Sequence, residues 1–244
     1  MDNLKEVAKH FNKKSGEWKN KLVGKYHYWT YLANVKYIIK LLDLKQEDDF
    51  LDCGHGTGTY ALLASKMNIN TVGIDISREM HEIAQKRINK HGNPKKAKLI
   101  ICDAQKTPFK DNRFNKIVSI YVPEATNINN LLNETKRILK PNGVVVFLLC
   151  NPFSPAGFIS FLMTIFLKNY KWRKMRNPFT FKKFLRKKGF TVEKVVSFNL
   201  FHRSPVPWKI KYELTKFNLK FLNFFNKIPF KYLAFAVAIK AKKK

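Results

Sequence analysis

The residues best placed to do chemistry lie in one run, Phe50-Leu-Asp-Cys-Gly-His-Gly-Thr-Gly58. Glycines suit a tight turn from strand to helix because they adopt positive φ and let a ligand approach the backbone. The spacing is G-x-G-x-G, with Asp52 two residues before Gly54. It differs from the G-x-G-x-x-G of dinucleotide folds, whose third glycine comes one residue later. Seventeen residues after Gly58 the stretch Thr71-Val-Gly-Ile-Asp75 ends in an acid. A carboxylate at the tip of a second strand can accept both hydroxyls of a ribose. Glycine turn and Asp75 together predict a nucleoside held at the carboxyl edge of a sheet.

Such a site needs strands and helices in alternation, and the chain supplies them. Short apolar strands are expected at Phe50 to Cys53, Thr71 to Ile74, Lys98 to Cys102, Phe114 to Ile120 and Val144 to Cys150. Helices are expected between them over 57–67, 77–91 and 128–139. Parallel neighbours need crossover connections, so this order predicts an α/β fold with a mostly parallel sheet covered by helices on both faces. Ahead of it, residues 1–22 and 27–44 carry apolar positions at helical spacing, strongest at Tyr31, Leu32, Val35, Ile38, Ile39 and Leu42. Beyond it a helix is expected over Thr180 to Lys188, with strands at Phe190 to Phe198 and Leu233 to Lys240. The organisation read from this is one domain: a helical cap over 1–45, a core over 46–150 and a C-terminal part over 151–244. Two basic, aromatic insertions interrupt the last part near 153–176 and 199–231.

Leu51-Asp-Cys-Gly-His-Gly-Thr-Gly58, Val72-Gly-Ile-Asp-Ile-Ser77 with Met80, Asp103-Ala104 with Pro108-Phe109, and Leu139-Lys-Pro-Asn-Gly143 follow one another in order. They resemble the successive motifs of class I S-adenosylmethionine-dependent methyltransferases, in particular the type 11 group that includes quinone C-methyltransferases, over roughly residues 45–150. The resemblance implies a Rossmann-like sheet of seven strands with the last antiparallel. It implies S-adenosylmethionine as methyl donor, leaving as S-adenosylhomocysteine; no metal is expected, because the cysteines and histidines lack ligand spacing. Cys53, Gly54, Gly56 and Gly58 would supply the turn that holds the methionine part, with Asp52 orienting its ammonium. Asp75 would bind the ribose, and Ile76 and Met80 would pack on the adenine. Asp103 would accept from the exocyclic amine, with the Ala104 N–H facing the ring. Met80 is equally readable as core filler. Two departures stand out: Asn115 follows Phe114 where the family has Asp, and Pro141-Asn142-Gly143 replaces Pro-Gly-Gly. Asn tolerates the left-handed conformation that the second departure requires.

The acceptor side falls to the loop after the fourth strand, Tyr121-Val-Pro-Glu124-Ala-Thr-Asn127. Glu124 is the candidate to orient or deprotonate an acceptor, and Tyr121 to line the pocket. The alternative for Glu124 is a solvated carboxylate or a helix cap. His10, His27, His55 and His81 show no cluster, and His55 is read as contributing through its backbone. Cys53, Cys102 and Cys150 lack metal-ligand spacing and read as small buried hydrophobes at strand ends.

Charge points to partners. The formal net charge is +30, and after Glu134 the only acids are Glu193 and Glu213. The apolar run Gly157 to Leu167 is about half of what spans a bilayer. Lys168, Lys171, Trp172, Arg173, Lys174 and Arg176 follow it, a pattern suited to a helix in the membrane interface. In the second insertion Trp208, Phe217, Phe221, Phe224, Phe225 and Phe230 alternate with lysines. The reading preferred is a methyltransferase acting on a small hydrophobic or lipid-linked acceptor near an anionic membrane surface. No signal segment is read at the N-terminus, which places the chain in the cytoplasm, peripheral on the inner face of the membrane. A second reading is an RNA methyltransferase whose cations contact phosphates. A third is a non-catalytic cofactor-binding adaptor.

Overall fold

The computed structural model describes residue 7, residues 25–154, 157, 158 and 162, and residues 175–198 and 234–244. The helix expected over 1–22 lies outside the described residues except for Val7, as do most of the insertion near 153–176 and all of that at 199–231.

Helix α1 (Lys25–Leu42) opens the described chain. Then come β1 (Asp49–Cys53), α2 (Thr59–Lys66), β2 (Asn70–Asp75), α3 (Arg78–His91) and β3 (Ala97–Ile101). Next are β4 (Phe114–Ile120), the single turn α4 (Val122–Ala125), α5 (Ile128–Ile138) and β5 (Leu139–Cys150). The last three are α6 (Pro178–Lys187), β6 (Phe190–Phe198) and β7 (Ala236–Lys243). Polar side chains set the starts of α3, α5 and α6: Ser77 accepts from the Met80 N–H, Asn127 from those of Asn129 and Asn130, and Asn177 from that of Phe179.

The strands form one sheet in the order β3-β2-β1-β4-β5-β7-β6. β1 to β5 run parallel, and β7 is antiparallel to both β5 and β6, so the last strand lies inside the sheet. Alternation along β5 shows how the core divides. Val146, Leu148 and Cys150 join Val35, Ile38, Leu42 and Phe50 on the face covered by α1. Val145, Phe147 and Leu149 join Leu131, Leu132, Phe181 and Leu185, beneath α5 and α6. This period of two is what a strand buried on both faces requires.

The expected elements differ from the observed ones mainly in their bounds. β7 begins and ends three residues later than expected, because its register is set by β5, with Ala236 opposite Cys150 and Lys242 opposite Val144. The Lys243 ammonium secures the far end by donating to the Leu139 carbonyl and Asn112 Oδ1. Asn142 does take up the left-handed conformation, at φ 61°. Asn115 Oδ1 accepts from the Asp49 N–H and from Lys140, holding the start of β1 against β4. The turn α4 was not expected.

Candidate functional site

β1 and β4 are neighbours whose connections leave in opposite directions, β1 towards β2 and β4 towards β5. Their carboxyl ends therefore flank the crevice in which open α/β sheets bind ligands. Every glycine in the turn after β1 has a reason to be glycine. Gly54 (φ 76°) and the following His55 both donate their N–H to the Ile74 carbonyl, so the turn is sewn to β2. A Cβ on Gly54 would overlap the Val122 side chain. At Gly58 (φ 74°) a Cβ would meet Ala84 Cβ at 2.7 Å, so this glycine lets α3 pack closely on α2. Gly56 (φ 51°) would meet nothing within 4 Å, leaving its face open to a ligand.

The acids are pre-set around that opening. Asp75 Oδ2 accepts from the Gly56 N–H at 2.8 Å and Oδ1 from the Ser77 N–H at 2.9 Å. A carboxylate offers about four lone pairs, so two bonds to backbone fix its orientation and leave capacity for two hydroxyls. Asp103 is held in the same manner by the Gln105 N–H and its Nε2 amide, while Gln105 Oε1 accepts from the Asn127 N–H. Asp52 is 1% exposed, and its Oδ2 accepts from the Ala61 N–H in the first turn of α2. Burial pushes its carboxyl up to about 7, against the lowering effect of that hydrogen bond. Met80 is buried, while Ile76 and Ala104 are half-buried.

His55 is only 5% exposed, and its ring lies 5.8 Å from that of His81, with the planes at 48°. Sequence spacing shows no histidine cluster and gives the backbone of His55 more weight than its ring; α3 brings its ring against that of His81. Nδ1 of His55 is 2.8 Å from the Gly56 carbonyl, which fixes it as the protonated nitrogen. Burial lowers the pKa of His55, with the neighbouring Asp75 charge opposing the shift. Burial also raises the thiol of Cys53, and that of Cys102 to about 11, so both are poor nucleophiles.

Across the crevice, Tyr121 sits at φ 60°, strained for an aromatic residue, and donates its N–H to the Leu148 carbonyl. Glu124 is 1% exposed. It is neither solvated nor a cap on α5: its Oε1 accepts from the Cys150 N–H at the tip of β5. Arg176, which the sequence places in the basic run expected at a membrane interface, donates from Nε to the Pro123 carbonyl and from Nη2 to the Thr126 carbonyl, each at 3.0 Å. Burial lowers its pKa and the charge of Glu124 opposes that. Arg87, which no sequence motif singles out, donates from α3 to the Thr57 carbonyl and hydroxyl, bracing the glycine turn. Nothing in local spacing could have shown these contacts, which span 30 residues for Arg87 and 53 and 50 for Arg176. Among the described residues no three His, Cys, Asp or Glu side chains gather as a metal site.

Comparison with known proteins agrees with this geometry. Residues 51–147 match a family model described as a methyltransferase domain. A Thermotoga maritima demethylmenaquinone methyltransferase is 29% identical over 138 residues, 55% of this chain and 58% of that protein. A Caenorhabditis elegans sterol 4-C-methyltransferase is 29% identical over 108 residues, 44% of this chain and 32% of that one. An uncharacterised Methanocaldococcus jannaschii protein is 29% identical over 167 residues, 68% of this chain and 58% of its own. The chain thus spans little more than half the length of these relatives at most. Among solved structures, a Thermotoga maritima protein described as a possible histamine N-methyltransferase superposes with a TM-score of 0.70 at 21% identity, over 96% of this chain and 99% of that one. Geranyl diphosphate C-methyltransferase from Streptomyces coelicolor superposes at 0.64 and 14% identity, over 88% of this chain and 79% of its own. These two likenesses concern the fold.

Proposed function

We propose that the chain, whose residues 51–147 match a methyltransferase-domain model, transfers the methyl group of S-adenosylmethionine to a small hydrophobic or lipid-linked acceptor at an anionic membrane surface. The observation that carries the donor assignment is the Asp75 carboxylate, fixed by two backbone N–H groups beside the open face of Gly56. When bound, S-adenosylmethionine supplies a sulfonium methyl that is already electrophilic. The chain's own work is then to bind, orient and exclude water. Asp75 takes the ribose hydroxyls and Asp103 the adenine amine. Asp52, under the glycine turn, takes the charge of the ammonium. Tyr121 and the α4 turn wall the acceptor side.

The acceptor class rests on two supports. The relatives named for an acceptor act on a quinone and a sterol, both hydrophobic. The chain itself combines a net charge of +30 with apolar side chains left in solvent, Phe153 at 62% and Phe158 at 56% exposed. Among the described residues no helix is long and apolar enough to cross a membrane, so attachment by a surface helix and basic side chains is the mode proposed.

The test is transfer of labelled methyl from S-adenosylmethionine in a whole-cell extract, separated into organic-soluble and nucleic-acid fractions. Label in the organic phase is the expected result. Label confined to RNA overturns the acceptor class, and S-adenosylhomocysteine binding with no label in any fraction overturns catalysis in favour of an adaptor.

A further inference from the structure

The turn α4 touches the donor loop at one point, where Val122 lies against Gly54 so closely that a Cβ there would overlap it. What keeps α4 in that place is a set of long-range bonds. Its start is tied to β5 by the Tyr121 N–H on the Leu148 carbonyl. Its middle is tied to the tip of β5 by Glu124, which accepts from the Cys150 N–H. Its end is held by Arg176, whose two donors take the Pro123 and Thr126 carbonyls together. The Thr126 hydroxyl donates to the Val122 carbonyl, carrying the clamp back to the residue on Gly54. A guanidinium is suited to this because its planar fork reaches two carbonyls at fixed spacing, and the buried Glu124 supplies the countercharge.

We infer that Arg176, with Glu124, is a positioning residue: it clamps α4 so that Val122 stays seated on Gly54 and the glycine turn keeps the shape that receives the methionine end of the donor. This rests on the reading of Gly54 as part of the donor site. It gives Glu124 a supporting part, since its Oε1 accepts from the Cys150 N–H and its charge faces Arg176.

Because Val122 bears on the methionine end and not on Asp75 or Asp103, loosening the clamp affects one part of the ligand. Calorimetric titration of the whole chain with S-adenosylhomocysteine and with adenosine reads this directly. Arg176→Ala should weaken S-adenosylhomocysteine binding about tenfold while adenosine binding stays within about twofold, a change of the size that mutations in coupling networks produce. Arg176→Lys, keeping the charge but losing the fork, should fall between. Glu124→Gln, which keeps an acceptor for the Cys150 N–H, should lose less than Arg176→Ala. Millimolar ethylguanidinium should restore part of the affinity of Arg176→Ala. Equal weakening of both ligands, or of neither, overturns the inference, as does an Arg176→Ala protein that ethylguanidinium cannot improve. A wild-type chain that binds neither ligand would instead overturn the donor assignment itself. Should Arg176→Ala fail to fold, the Arg176→Lys ratio of the two affinities decides, and a ratio equal to wild type overturns the inference.

Discussion

Asp52 and His55 stand three positions apart and answer to pH in opposite senses. Burial raises the Asp52 carboxyl to about 7, so the folded chain holds that proton more tightly than the unfolded chain does. Its contribution to stability is present in acid and is lost as pH rises from the carboxylate range through about 7. His55 is the reverse. Its folded pKa is depressed by burial, so its contribution is present above about 6.5 and is lost as pH falls below it, where only the unfolded chain takes the proton. Melting curves of His55→Asn between pH 7 and 5 should therefore fall less steeply than those of the wild type. An identical slope would show that the ring protonates freely in the fold. For Asp52 the readout is the ligand. An ammonium placed on a buried carboxyl selects its ionised form, so binding of S-adenosylhomocysteine at pH 6 to 7 should release a proton to the buffer. Asp52→Asn should bind without that release. Calorimetry in two buffers of different ionisation enthalpy measures the difference, and equal proton release by both proteins would remove Asp52 from the ammonium site.

At the scale of elements, the glycines of the turn divide by partner. Gly58 serves the α2–α3 contact, so Gly58→Ala meets both a left-handed backbone and Ala84 at 2.7 Å. The two costs together come to about 2–5 kcal/mol. Urea titration of Gly58→Ala beside Gly58→Ala/Ala84→Gly should show the second change recovering the packing part only. Full recovery would mean that φ costs nothing there. The same elements show what could be read in the sequence. β4 and β6 were legible to the residue because β-branched and aromatic side chains concentrate there, in Phe114, Ile117, Val118 and Ile120 and in Phe190, Val192, Val195, Val196 and Phe198. The glycine turn and Asp75 were legible because the chemistry sits within one β-α-β span. The seat of α4 was not, since Glu124 reaches across 26 residues and Arg176 across 53 to hold it. The approach of His81 to His55 was hidden for a related reason: it depends on how α3 lies against the turn, which periodicity does not specify.

For the whole molecule the governing quantity is charge. With 47 Lys and Arg against 17 Asp and Glu, the chain's attraction to an anionic bilayer should be strong in dilute salt and screened as the Debye length falls to about 10 Å at 0.1 M. Co-flotation with phosphatidylglycerol vesicles, compared with phosphatidylcholine ones, measures the electrostatic part. The residue that survives at high salt measures the apolar part, to which Phe153 and Phe158 should contribute, so Phe153→Ser/Phe158→Ser should reduce that remainder. Flotation that vanishes at moderate salt in the unaltered chain would leave those two phenylalanines without a role in membrane attachment.

The placement of β7 has a consequence in time. It follows β5 and β6 in the chain, yet it separates them in the sheet. While residues up to 235 emerge, β1 to β5 can assemble in order, but β6 has no neighbour to pair with and β5 presents a bare edge. Strand pairing between elements so far apart in synthesis is slow, and open edges are where growing chains stick to one another. The nascent chain therefore waits, half-built and exposed, for the eight residues from Ala236 to Lys243.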